Sequence, residues 1–127
     1  MNKIVITGGL GYIGTELCKL YSGEARYKNI VVIDNRFKSE RVKQLRDWGI
    51  KFIHGSILDK NLMSDVLCDA DIVFHLAGIT DVAYTKSGED PQQEKKIEET
   101  GVNGTRLVLV YIPKTCKILF PSTHVVY

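Results

Sequence analysis

Four glycines and one aspartate carry the strongest chemical signal in this sequence. Gly9, Gly11 and Gly14 stand in the spacing G-x-G-x-x-G, with Gly8 before them and the β-branched run Ile4-Val5-Ile6 leading in. The first glycine permits a sharp turn, the second lets a pyrophosphate approach the backbone, and the third lets the following helix pack on the strand. The unpaired N–H groups and positive dipole end of that helix attract an anion without any basic side chain. Asp34 lies twenty residues after Gly14, at the end of the apolar run Ile30-Val31-Val32-Ile33. A dinucleotide-binding unit places there the acid that hydrogen-bonds the adenosine ribose. Such a carboxylate accepts from a 2′-hydroxyl and repels a 2′-phosphate, so NAD is expected over NADP. Arg36, two residues on, works against that preference because a nearby arginine can accommodate the phosphate. The competing reading, a glycine-rich turn beside a surface Asp, requires strand, turn, helix, strand and acid to coincide by accident.

These residues have to be positioned by the elements around them, and the apolar pattern supplies those elements in strict alternation. After the first strand, helical spacing places Ile13, Leu17, Leu20 and Tyr21 on one face. A second helix follows the second strand, with Ser39 as N-cap, a stripe of Val42, Leu45 and Trp48, and Gly49 as its stop. Trp48 continues that stripe and reads as core rather than as a ligand-stacking ring. Ile50-Lys51-Phe52-Ile53 is a third strand, and the His54-Gly55-Ser56-Ile57 segment after it is expected near the adenine. Leu58 to Leu67 is a third helix, capped by Asp59, with Leu62, Met63, Val66 and Leu67 inward. Asp71 to Leu76 is a fourth strand running into Ala77 and Gly78, small residues past which a cofactor can run close to the backbone.

Ile79 to Pro91 reads as a long polar, mobile loop, and Gln92 to Val110 as a helix with a solvated Lys95/Glu99 pair. Gly101 and Gly104 each cost that helix about 1 kcal/mol relative to Ala, so it bends there or packs tightly against a neighbour. Asn103-Gly104-Thr105 also spells a glycosylation acceptor, read as chance without a secretory signal. Lys117 to Phe120 is the fifth strand. The alternation predicts an α/β doubly wound Rossmann fold, a parallel sheet of about five strands in the order 3-2-1-4-5 with helices on both faces.

Bulk properties narrow the classes. A chain of 127 residues is one domain, large enough to bury about two thirds of its unfolded surface. Seventeen basic against fifteen acidic residues leave a formal charge of +2, far from the basic excess of nucleic-acid binders. No apolar run approaches membrane-spanning length and no secretory leader is evident, so a cytoplasmic protein is expected. Cys18, Cys68 and Cys116 are odd in number and widely spaced, which reads as reduced, mostly buried thiols and no metal site.

Five motifs in order, Thr7-Gly8-Gly9-Leu10-Gly11-Tyr12-Ile13-Gly14, Val32-Ile33-Asp34-Asn35, His75-Leu76-Ala77-Gly78, Val102-Asn103-Gly104-Thr105 and Pro121-Ser122-Thr123-His124-Val125-Val126-Tyr127, give the whole chain a resemblance to the nucleotide-sugar epimerase and dehydratase family. This is the extended branch of the short-chain dehydrogenases. The resemblance implies NAD as cofactor and transient oxidation of a sugar hydroxyl as the chemistry. It implies cofactor contacts from Gly8, Gly11, Tyr12, Ile13 and Gly14, from Asp34 and Asn35, from Ser56 and Ile57, and from Leu76, Ala77 and Gly78. Ser56 stands where the family has Asp, and Gly101 where it commonly has Asn. His75 is implied to be part of the strand framework and carries no acid/base role here.

Thr123 falls at the family's Ser/Thr position, which hydrogen-bonds the reacting oxygen; a strand-end Thr that merely caps the backbone is the alternative. The family's acid/base Tyr with a Lys four residues on is absent, since Tyr12, Tyr21, Tyr27, Tyr84 and Tyr111 lack that Lys and Tyr127 is the last residue. The expectation is therefore a cofactor-binding portion, residues 1–127, of a longer enzyme that also has a substrate domain. The partners expected are a nucleotide sugar in the full-length protein and, left open, a second copy in a homodimer. A non-catalytic dinucleotide-binding sensor or regulatory module is the alternative, because fold alone does not separate the two.

Overall fold

The computed structural model describes residues 3–23, 29–77 and 102–120. Gly78, the 79–91 loop, Gly101 and the preceding part of the expected fourth helix, and Thr123 lie outside the described residues. Within them, strands β1 (Lys3–Thr7), β2 (Asn29–Asp34), β3 (Lys51–His54), β4 (Ile72–His75) and β5 (Lys117–Leu119) form one parallel sheet in the order β3-β2-β1-β4-β5. Helices α1 (Tyr12–Ser22), α2 (Ser39–Asp47) and α3 (Lys60–Leu67) connect them, and a further helix spans residues 102–111. The expected topology is the observed one. The chain steps outward from β1 to β3, then returns through α3 to the opposite side of β1, so the connections diverge between β1 and β4.

Strand alternation explains why helices cover both faces. Ile4 and Ile6, with Ile30 and Val32 beside them, face one way and pack with Cys18 of α1 and Leu45 of α2. Val5, Val31, Ile33 and Val73 face the other way, onto Met63, Val66 and Leu67 of α3 and Val108 of the 102–111 helix. Ile4, Val5 and Ile6 are completely buried, and each contributes about 1.5–3 kcal/mol of transfer free energy on that account. A polar substitution at any of them loses this and leaves an unpaired group in one of the two cores.

Local details differ from the sequence reading in three places. The buried face of α1 runs through Gly14 and Cys18, with Leu17 and Tyr21 half-buried, whereas Ile13 and Leu20 are exposed. Apolar spacing alone fits either stripe; the choice falls to Gly14, which brings that side of the helix against the turn. Lys38, not Ser39, is the N-cap of α2, and no side chain caps that end. Of the cysteines only Cys18 is buried, with Cys68 exposed and Cys116 between; burial pushes the Cys18 thiol up to about 12. Asp59 does cap α3, accepting from the Leu62 N–H at 3.1 Å. Trp48 is half-buried against the first core as expected, and Gly49 ends α2 at φ +75°.

Candidate dinucleotide site

The divergence of connections leaves the carboxyl ends of β1 and β4 side by side, and the glycine turn rises from β1 there. Thr7 and His75, the last residues of the two strands, are register partners. Gly8 turns the chain at φ +70°, where an added Cβ would also press on the Ala77 backbone at 2.8 Å. Its N–H donates to the Ile33 carbonyl at 2.7 Å, tying the turn to β2. Gly14 is fixed by close approach, since a Cβ there would lie 2.5 Å from Gly9 Cα. A side chain at Gly9 would collide with Val32.

Gly11 is different. A Cβ at this position would meet only the Gly8 carbonyl oxygen at 3.4 Å and Arg36 Nη2 at 3.5 Å, so packing within the chain does not demand glycine. What it does is leave bare backbone at the N-cap of α1. The first intrahelical bond runs from the Thr15 N–H to the Gly11 carbonyl at 2.9 Å, and no side chain caps the helix. The Tyr12, Ile13 and Gly14 N–H groups precede that bond and point out of the helix end, where the dipole favours negative charge. Tyr12 and Ile13 carry their side chains outward, 78% and 45% exposed. This turn, with bare backbone at Gly11, fits a pyrophosphate.

Asp34 ends β2 directly beneath the turn, with its side chain only 2% exposed. The carboxylate accepts four hydrogen bonds. Oδ1 takes the Arg36 backbone N–H at 2.9 Å and Nε at 3.1 Å; Oδ2 takes the Leu10 N–H and Arg36 Nη2, each at 3.1 Å. Asn35 offers its carbonyl to His54 Nε2 at 3.0 Å. Phe37, 60% exposed, has its ring 5.8 Å from that of His54 and 6.2 Å from that of Phe52, an aromatic cluster at the end of β3.

The other sequence candidates divide. Ser56 turns its hydroxyl onto its own loop, accepting the Leu58 N–H at 3.0 Å. Ile57 is buried against Gly104, where an added Cβ would run into the Ile57 side chain. That contact answers the question raised by Gly104: the helix packs tightly there against a neighbour. Leu76 is buried in the first core, and Ala77 lies over Gly8. Across the outer side of α1, Arg41 Nη1 donates to Thr15 Oγ1 at 2.7 Å over a groove of about 640 Å³ between α1 and α2.

Sequence reasoning missed a buried network at the heart of the site. Thr7 Oγ1 accepts the Leu76 and Ala77 N–H groups at 3.1 and 3.2 Å and lies 2.7 Å from His75 Nδ1. With two donors already pointing at its oxygen, the hydroxyl gives its own proton to Nδ1. His75 is thereby the Nε2–H tautomer and donates to Thr105 Oγ1 at 3.0 Å. Completely buried, the imidazole is pushed down to about 4 by desolvation and stays neutral. The network joins β1, β4 and the 102–111 helix and sets the Leu76-Ala77 backbone against the glycine turn. The available signal was a histidine ending an apolar strand level with a threonine ending another. Among the described residues no cluster of His, Cys, Asp or Glu could hold a metal ion.

An open, doubly wound parallel sheet with a glycine turn at its switch point and a buried acid ending the neighbouring strand defines a Rossmann-type domain. Residues 5–123 match the 3-beta hydroxysteroid dehydrogenase/isomerase family, and the chain belongs to it. It is 36% identical over 129 residues to the UDP-N-acetyl-alpha-D-glucosaminuronate decarboxylase of Bacillus cytotoxicus, a match covering 98% of this chain and 37% of the relative. The UDP-glucose 4-epimerase of Haemophilus influenzae is 34% identical, with 98% of this chain and 37% of the relative covered. Among solved structures, the Bordetella bronchiseptica enzyme WbmG in complex with NAD and UDP superposes with a TM-score of 0.68 at 28% identity, covering 92% of this chain and 36% of that one. The chain thus spans a little over a third of the length of the relatives it matches.

Proposed function

We propose that this chain is the cofactor-binding portion of an NAD-dependent enzyme that acts on a nucleotide sugar by transient oxidation of a sugar hydroxyl. The observation that carries the reading is the glycine turn, bare at Gly11, standing over the buried Asp34 carboxylate. Gly11, Tyr12, Ile13 and Gly14 present backbone to the pyrophosphate, and the α1 dipole stabilises its charge. Asp34 accepts from an adenosine ribose hydroxyl, with Asn35, Ser56 and Ile57 on the adenine side. Leu76 and Ala77 form the wall toward the nicotinamide in this reading, and Gly78 keeps the cofactor contact that the resemblance implies. NAD, when bound, supplies the hydride acceptor.

Thr123 hydrogen-bonds the reacting sugar oxygen in this reading. An unactivated threonine hydroxyl is a poor base near neutral pH, so the proton goes to a group outside these 127 residues. The substrate domain belongs there too. Support comes from the curated relatives, nucleotide-sugar enzymes of which this chain spans 37%.

Isothermal titration of the chain with NAD tests the proposal. Saturable 1:1 binding is expected, with affinity reduced at least tenfold, about 1.4 kcal/mol, in Asp34→Ala. Absence of binding heat in a chain whose circular dichroism is native overturns it.

A further inference from the structure

With Arg36 in place, the Asp34 carboxylate has no acceptor position left for a ribose hydroxyl. Two oxygens offer about four acceptor positions, and four hydrogen bonds fill them, two from backbone N–H groups and two from the Arg36 guanidinium. The two backbone donors, Leu10 in the glycine turn and Arg36 in the loop after β2, do not depend on the arginine side chain. The guanidinium is the removable pair. Its side chain is 37% exposed against 2% for Asp34, so it closes the carboxylate from the solvent side, and its Nη2 also lies 3.5 Å from the site of a Cβ on Gly11. One arginine therefore spans the ribose acid and the bare backbone of the turn.

We propose that Arg36 is a latch on the cofactor site, a positioning and specificity residue that holds the acceptor positions of Asp34 which a ribose would use and swings off to admit the cofactor. The inference rests on the reading of this site as a dinucleotide site. Two consequences follow from the geometry. First, apparent affinity for NAD is lowered by the fraction of time the latch is shut; a latch closed nine-tenths of the time weakens binding about tenfold. Second, the displaced guanidinium remains tethered two residues from Asp34, beside the ribose 2′ position. There it offers a planar fork to a 2′-phosphate, offsetting the repulsion from the carboxylate. One and the same side chain stabilises the closed carboxylate and reduces the discrimination against NADP.

The test compares wild type, Arg36→Ala and Arg36→Lys by titration with NAD and with NADP, together with the melting temperature of each without added cofactor. Arg36→Ala keeps both backbone bonds to Asp34, so the carboxylate stays in place with one acceptor position freed on each oxygen. The expected pattern is opposed in sign: without added cofactor the alanine variant melts lower, yet it binds NAD about three- to tenfold tighter, while its NADP affinity falls. Arg36→Lys, which keeps the charge but not the fork, should bind NAD at an intermediate level and retain part of the NADP affinity.

A merely structural role for Arg36 lowers melting temperature and NAD affinity together, and that result overturns the latch, as does unchanged NAD affinity in the alanine variant. Should Arg36→Ala fail to fold, an NAD affinity in Arg36→Lys equal to or below that of wild type overturns it equally. If folded wild type and variants all fail to bind NAD, the site reading itself is wrong and the latch falls with it.

Discussion

Acid should destabilise this protein through His75. The imidazole is completely buried, its Nδ1 accepts the Thr7 hydroxyl proton, and burial holds it down near 4 from an ordinary 6.5. Protonation would place a second N–H against an oxygen that already receives two, and would put a charge in the core. In the unfolded chain the same residue takes up its proton near 6.5. A group whose folded pKa is depressed contributes stability that is complete above the unfolded value and is lost as pH falls toward the folded one. One proton taken up only on unfolding gives a slope of about 1.4 kcal/mol per pH unit, so about 2 kcal/mol is lost by pH 5 and about 3 by pH 4. Against a typical total of about 5–15 kcal/mol that is a large share.

Urea unfolding followed by circular dichroism from pH 7.5 to 4.5 measures this directly. His75→Gln, whose amide can accept from Thr7 and donate to Thr105, should start less stable at pH 7.5 and lose little on acidification to pH 5. A wild-type midpoint flat between pH 7 and 5 would refute the reasoning, and so would a glutamine variant that falls as steeply as wild type.

Gly14→Ala should cost about 1–3 kcal/mol in thermal unfolding and weaken NAD binding, because its Cβ would press at 2.5 Å on Gly9 Cα, a backbone atom of the turn itself. Gly104→Ala meets the tip of a flexible side chain instead; about 1 kcal/mol of helix propensity should cancel much of the strain, and adding Ile57→Val should make the double variant more stable than Gly104→Ala alone, as melting temperatures will show. Incubated with NAD and UDP- or dTDP-sugars, the 127-residue chain should form no epimer or keto-sugar detectable by chromatography, since a positioned base is worth about 10²–10⁴-fold in rate. Turnover abolished by Thr123→Ala would show that Thr123 carries the proton.

The sequence by itself determined the layered architecture and the place of the site. Ile4-Val5-Ile6 and Ile30-Val31-Val32-Ile33 are apolar on both pleat faces, a pattern that only a sheet covered on both sides satisfies. With helices alternating, right-handed crossovers leave few strand orders, and the observed one follows. G-x-G-x-x-G and Asp34 were legible because each of those residues acts through its own backbone or one short side chain at a fixed distance along the chain.

Only the tertiary structure decided what lies more than one element away. Register placed Thr7 beside His75 and so built the network with Thr105, sixty-eight and ninety-eight residues from Thr7 in sequence. The inward face of α1 was set by the contact of Gly14 with the turn, since the apolar spacing permits two stripes. Nothing in the order Asp34-Asn35-Arg36 says whether the arginine reaches solvent, a ligand or the acid two residues before it. The burial of Asp34 under Leu10 decides it, because a carboxylate withdrawn from water must gather every donor within reach.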